Sequence, residues 1–225
     1  MLCAGCVRKK NVVNSMLKNL LDACGAAVAF YFVGYGLAFG DDNDEITFVG
    51  SQNFVGTGDI DLGFWFFQFA FSATAVTIVA GTLAERCKMT AYFSYSMFLT
   101  GFVYPTIVHT IWSSNGFLSA FQKEPLGGVG VVDFAGSGVI HVTGGMTALI
   151  ATRILGPRRG RFYADDGKPL ETPVVIKGHS MALQLLGTLV LWFGCKCAGN
   201  RLWENVLGCA HQMEASPYTP FCLAR

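Results

Sequence analysis

The sequence predicts an all-α, polytopic membrane helix bundle. Three observations carry that prediction. The 225 residues are 52% hydrophobic and only 14% charged, whereas a soluble domain carries about 25% charged residues. Four apolar stretches reach the ~20 residues needed to cross ~30 Å of hydrocarbon. Basic loops alternate with basic-poor loops along the chain, the pattern that the positive-inside rule imposes on a polytopic protein. The net charge of +1 gives no reason to expect a nucleic-acid partner.

The spacing places spans at 20–39, 63–84, 90–112, 129–155 and 181–194, the last being short. Arg8, Lys9, Lys10 and Lys18 accompany the entry to the first span. The next loop has no Lys or Arg but holds Asp41, Asp42, Asp44, Glu45, Asp59 and Asp61. Arg86 and Lys88 follow the second span, Lys123 stands alone after the third, and Arg158, Arg159, Arg161, Lys168 and Lys177 follow the fourth. The N-terminal side is therefore expected to be cytoplasmic and the acidic loop external. No cleavable secretory signal is visible. Cys3-x-x-Cys6 has no second Cys or His pair at metal spacing, so it reads as small residues near a helix end.

Each span holds residues that lipid contact alone would not select. Gly25, Gly34, Gly36 and Gly40 in the first, with Ala23, Ala26 and Ala27, suit close helix packing. The second opens with Phe64, Trp65, Phe66 and Phe67, then Gln68, Phe69 and Phe71. These rings suit an interfacial girdle, yet Phe67 and Phe71 share one helix face and suit a pore mouth equally. In the third span Pro105 removes a backbone donor and is expected to kink the helix. Trp112, at its outer end, is either a belt residue or a platform for a cation. The fourth carries Asp133-Phe-Ala-Gly-Ser-Gly-Val-Ile-His141. Asp133 suits first an N-cap for a helix beginning near Phe134, and beside that an attractor of external cations. His141 is expected about 12 Å further along the helix. An imidazole there needs a partner or water, which points to a polar solute route. Gly136, Gly138, Gly144 and Gly145 around it predict tight helix contact.

The run Asp133–His141, followed by Gly144-Gly145, Ala148-Leu149 and Gly156-Pro157-Arg158, resembles the fifth-helix signature of the ammonium transporter family (the Amt/Mep/Rh superfamily), closest to the algal and plant type. Leu83-Ala84-Glu85-Arg86 and Gly101-Phe102-Val103-Tyr104-Pro105 add to it, and the likeness runs from Met1 to about Gly194. The resemblance implies a transporter rather than an enzyme, with no cofactor and no metal. It implies a plasma-membrane homotrimer, each subunit having eleven helices in two inverted halves, so that the five spans would be the second to sixth. It implies that Trp112 recruits ammonium (or methylammonium as an analogue) and that Phe67 is the aromatic ring near the outer site. Phe71 would be a gate residue. Asp133 and the Ala135 carbonyl would shape the outer site, and His141 would be the first pore imidazole. On that template ammonium loses its proton and crosses as ammonia, since a bare cation in an apolar bore is prohibitive.

After Trp192-Phe193-Gly194 the likeness stops, and 195–225 is expected to be a tail foreign to the membrane domain 1–194. Most of the first helix and the whole second half are expected to be missing, and this chain alone is expected to conduct poorly. Two other readings compete. One is a non-conducting regulatory or dominant-negative subunit, or an ammonium sensor. The other is a membrane oxidoreductase using His109 and His141 as haem ligands.

Overall fold

The computed structural model describes residues 1–40, 45–58, 60–158, 160–164 and 167–194. Six helices are built from these residues: α1 (Leu2–Cys6), α2 (Lys9–Phe39), α3 (Leu62–Leu83), α4 (residues 89–112), α5 (Ser137–Leu155) and α6 (Met181–Gly194). No strand forms among the described residues, only isolated bridges between loops. By length and composition α2, α3 and α5 are apolar enough to cross a membrane. Helix α4 has the length, about 36 Å at 1.5 Å per residue, but more Ser, Thr and Tyr. The tail 195–225 lies outside the described residues.

Helix α2 starts well before the predicted 20–39, because Val12–Leu20 continue the same helical register despite Lys18 and Asn19. Asp61 caps α3, its Oδ1 accepting from Gly63 N at 2.8 Å and Phe64 N at 3.3 Å. One π-helical turn widens each of α2, α4 and α5, at Phe30–Gly34, Leu99–Val103 and Ser137–Val142. The π turn in α4 lies immediately before Pro105, so the helix absorbs the proline by widening and continues through Tyr104 without leaving helical geometry.

Two apolar clusters form the core. One joins Phe30, Tyr35, Ala75, Tyr104, Val108, Val139 and Ile140 from α2, α3, α4 and α5; the other joins Val76, Val79, Leu83, Tyr92, Leu99 and Ala148. The small residues behave unevenly. A Cβ on Gly34 would meet Thr100 O at 2.8 Å, and one on Gly144 would meet Ala75 O at 3.0 Å, so both are helix-crossing points. Gly145 faces nothing within 4 Å, against the expectation of tight contact. Gly36 and Gly40 press on Gln52 of the outer loop rather than on another helix.

The ends of the bundle sort by charge. At one end Glu85 joins Arg8 and Arg158, with Nε of Arg8 at 3.1 Å and Nη1 of Arg158 at 3.3 Å. The basic segments before α2, after α3 and after α5 therefore meet there. At the other end Thr47 N donates to Asn115 O at 2.9 Å and Val131 N to Leu118 O at 2.7 Å, tying together the two basic-poor loops. The predicted alternation of loops is thus present in space.

Candidate functional site

Rings of α3 divide between two faces. Trp65 stacks on Phe69 at 5.6 Å and reaches Phe30 and Tyr31 of α2. Phe67 meets Phe71 edge-to-face at 4.6 Å, and Phe71 lies 5.7 Å from Trp112 of α4. Phe66 is 63% exposed and tilts against Phe69 at 5.8 Å.

Trp112 is held from α5. Its indole Nε1 donates to the Asp133 main-chain carbonyl at 2.7 Å. The Asp133 carboxylate accepts from Ser137 N at 2.8 Å, Gly138 N at 2.9 Å and Val139 N at 2.7 Å. It is therefore a helix cap, but for a helix that begins at Ser137, not near Phe134, and the span 129–155 is shortened at its outer end. The reason is Gly136, whose φ of 78° turns the chain through the left-handed region immediately before the helix. Ala135 lies exposed in this turn. Phe67, Phe71, Trp112, Asp133 and Ala135 thus belong to one neighbourhood at the basic-poor end.

His141 is only one turn inside α5, roughly 6 Å from its start rather than 12 Å from Asp133. Its backbone N donates to Gly136 O at 3.0 Å within the π turn. Its side chain is exposed, on a face away from the buried Val139, Ile140 and Gly144. Val142 (58%), Met146 (53%) and Leu149 (63%) are exposed in the following turns.

Two further polar groups are buried in the bundle, His109, which the haem reading named, and Asp22, which no reading did. His109 is fully buried, with Nδ1 3.0 Å from Ala38 O and Nε2 2.9 Å from Thr47 Oγ1. The carbonyl accepts, so Nδ1 carries the proton and Nε2 accepts from the hydroxyl in the neutral ring. Both nitrogens are used in joining α4 to α2 and the outer loop, which leaves neither for a haem iron. At the opposite end Asp22 is fully buried and accepts from the Tyr92 hydroxyl. Lys18, one turn earlier, sits 4.9 Å over the Tyr92 ring and 3.4 Å from Cys87 O. An acid buried inside the first span is a signal the rule applied to His141 would have caught.

Chemically, the outer neighbourhood offers the ring faces of Phe67, Phe71 and Trp112 beside an acidic residue. Ring faces attract a cation by ~0.5–2 kcal/mol each where water is excluded. The cap hydrogen bonds hold the Asp133 carboxylate toward the backbone, so its contribution there is mainly its field.

The ammonium transporter family model matches residues 1–195. A tomato (Solanum lycopersicum) protein, ammonium transporter 1 member 3, is 44% identical over 198 residues, covering 86% of this chain and 41% of its own length. A putative ammonium transporter 1 member 5 of Arabidopsis thaliana is 47% identical, covering 86% of this chain and 38% of its own. Among solved structures, a sensor Amt protein superposes with a TM-score of 0.68 at 31% identity, covering 86% of this chain and 47% of that one. The G343C mutant of Candida albicans Mep2 gives a TM-score of 0.66 at 30% identity, covering 86% and 41%. The chain spans about two fifths of the length of these curated relatives. The family model over residues 1–195, the relatives and the superposed structures lead to one conclusion: the chain is an integral membrane protein of the ammonium transporter family.

Proposed function

We propose that residues 1–194 form a membrane domain supplying the outer recruitment site and one wall of an ammonium route, within a plasma-membrane homotrimer. The observation that carries this is the ring series Phe67–Phe71–Trp112, fixed at its end by Asp133. Ammonium would rest against the Trp112 and Phe67 faces near the Ala135 carbonyl. Phe71 would stand in its way, so that the ion gives up its proton and continues as ammonia past His141. A neutral imidazole there can hydrogen-bond the amine or relay its proton. Methylammonium would follow the same route, whereas potassium has no proton to lose.

The exposed face of α5 around His141 favours a second feature of this proposal. A route past that imidazole needs an opposing wall, and the described residues supply none there. These 225 residues by themselves are therefore expected to conduct little and to act as a non-conducting or sensing subunit when mixed with intact relatives.

Radiolabelled methylammonium uptake in transport-deficient cells tests both points. Uptake near background is expected from the chain alone. A chimera with residues 1–194 in place of the matching part of the tomato relative is expected to transport. Strong uptake by the chain alone defeats the missing-wall argument, and an inert but correctly assembled chimera defeats the recruitment site.

A further inference from the structure

His109 and Trp112 share the last turn of α4, and a closed series of contacts runs from one to the other. The buried imidazole lies between the Ala38 carbonyl at the end of α2, 3.0 Å from Nδ1, and the Thr47 hydroxyl of the outer loop, 2.9 Å from Nε2. Thr47 N donates in turn to Asn115 O at 2.9 Å. The chain after Trp112 doubles back over its own helical turn: Ser113 N donates to His109 O at 3.3 Å and Leu118 N to Thr110 O at 3.0 Å. The return is so close that a Cβ at Gly116 would collide with the His109 carbonyl oxygen. Leu118 O then accepts from Val131 N at 2.7 Å. Two residues further on, the Asp133 carbonyl holds the indole of Trp112.

A histidine suits this place because the neutral ring donates at one edge and accepts at the other within one rigid plane. An aliphatic side chain would leave the Ala38 carbonyl and the Thr47 hydroxyl without that shared partner. The ring is fully buried, so it meets no solute itself. A binding ring does its work only where supporting hydrogen bonds hold it to within about 0.5 Å of the productive geometry. We propose, on the recruitment reading given above, that His109 is a positioning residue for that site. With Thr47 it fixes the last turn of α4, and so sets where the indole of Trp112 meets a cation. Asp133 orients the ring from its outer edge; His109 anchors the turn from which the ring projects.

The test uses the full chain, labelled with fluorotryptophan, purified in an uncharged detergent and followed by fluorine NMR. The Trp112 signal is the one lost in Trp112→Phe. Methylammonium, titrated at constant ionic strength, is expected to move that signal saturably. Thr47→Val, which keeps the size of the side chain but removes the hydroxyl, is expected to displace the ligand-free Trp112 signal. It is also expected to weaken methylammonium binding about fivefold, the scale of one lost buried hydrogen bond. Thr47→Ser, which keeps the hydroxyl, is expected to restore both. An undisplaced ligand-free signal in Thr47→Val overturns the positioning role, whether or not methylammonium binds. So does a displaced signal with undiminished affinity, or a Thr47→Ser variant that fails to restore the signal. A displaced signal in Thr47→Val, restored in Thr47→Ser, with no methylammonium response in the unaltered chain keeps the anchoring of the indole and overturns the recruitment reading instead. Should Thr47→Val move the other tryptophan signals too, Thr47→Ala is read in its place by the same criteria.

Discussion

The indole N–H of Trp112 and the main-chain carbonyl of Asp133 are 2.7 Å apart, so the ring that ends α4 is oriented by the residue whose carboxylate starts α5. The hydrogen bond fixes the plane of the indole, and Phe71 packs at 5.7 Å against it. Replacing Trp112 by Leu removes both the ring face and the tether. In the chimera described above, Trp112→Leu is expected to raise the KM for methylammonium about five- to tenfold, the equivalent of ~1 kcal/mol of cation–π attraction. Trp112→Phe keeps a ring without the tether and is expected to fall between the two. An unchanged KM in Trp112→Leu would remove the indole from recruitment.

Asp133 is expected to matter first for folding. Its carboxylate accepts from three consecutive backbone N–H groups at the start of α5. Losing a side-chain cap costs about 1–2 kcal/mol, and here three donors lose their partner together. Asp133→Ala is expected to cost about 2–3 kcal/mol. Asp133→Asn, whose amide keeps one acceptor oxygen, is expected to cost about half of that. Thermal unfolding of the purified variants in detergent checks the order; equal midpoints for both and for the unaltered chain would mean that α5 is held by packing alone.

The legibility of these two residues in the sequence differed for a physical reason. Asp133 was recognisable as a cap, since an acid before a helical apolar run has that signature. The boundary was not, because Phe134–Gly138 is apolar and small enough to continue the helix, and only the left-handed turn at Gly136 stops it. Phe67 and Phe71 were legible as a pair from their four-residue spacing. Their contact with Trp112 was not, because it depends on how α3 and α4 cross. The His109 link to Thr47 joins residues 62 apart in sequence, which no local pattern encodes. Asp22 is legible by the cost of an acid in hydrocarbon, but its partner Tyr92, 70 residues further along, is not.

Glu85 makes the basic end sensitive to acid. Burial by itself raises its carboxyl, but hydrogen bonds from Asn11 Nδ2, Arg8 N and Arg8 Nε, with the Arg8 charge, more than offset this and hold it below its ordinary value. A group lowered in the folded state contributes stability that is fully present above the unfolded value, about 4.3 for Glu. That contribution is lost as pH falls through the lowered folded value. Thermal midpoints measured from pH 7 down to pH 3 are expected to drop at the acid end. Glu85→Gln is expected to be less stable at pH 7 and to show a shallower acid decline. The same acid decline in both proteins would place the titrating group elsewhere.

Gly34 and Gly145 set a paired test of where helices touch. A Cβ at Gly34 would lie 2.7 Å from Phe30 Cδ2, 2.8 Å from Thr100 O and 3.1 Å from Pro105 Cγ. The Thr100 carbonyl belongs to the backbone of α4 and has little freedom to retreat, so α2 and α4 would have to separate at their π turns. Gly145 meets nothing within 4 Å among the described residues and has helical backbone. Gly34→Ala is expected to cost about 1–3 kcal/mol by overpacking. Gly145→Ala is expected to be neutral or to stabilise by up to about 1 kcal/mol, because alanine favours the helix over glycine. Unfolding midpoints of the two variants in one detergent read the difference directly. A loss at Gly145 as large as that at Gly34 would mean that the exposed face of α5 is packed against another surface in solution, which bears on whether His141 has a wall opposite it.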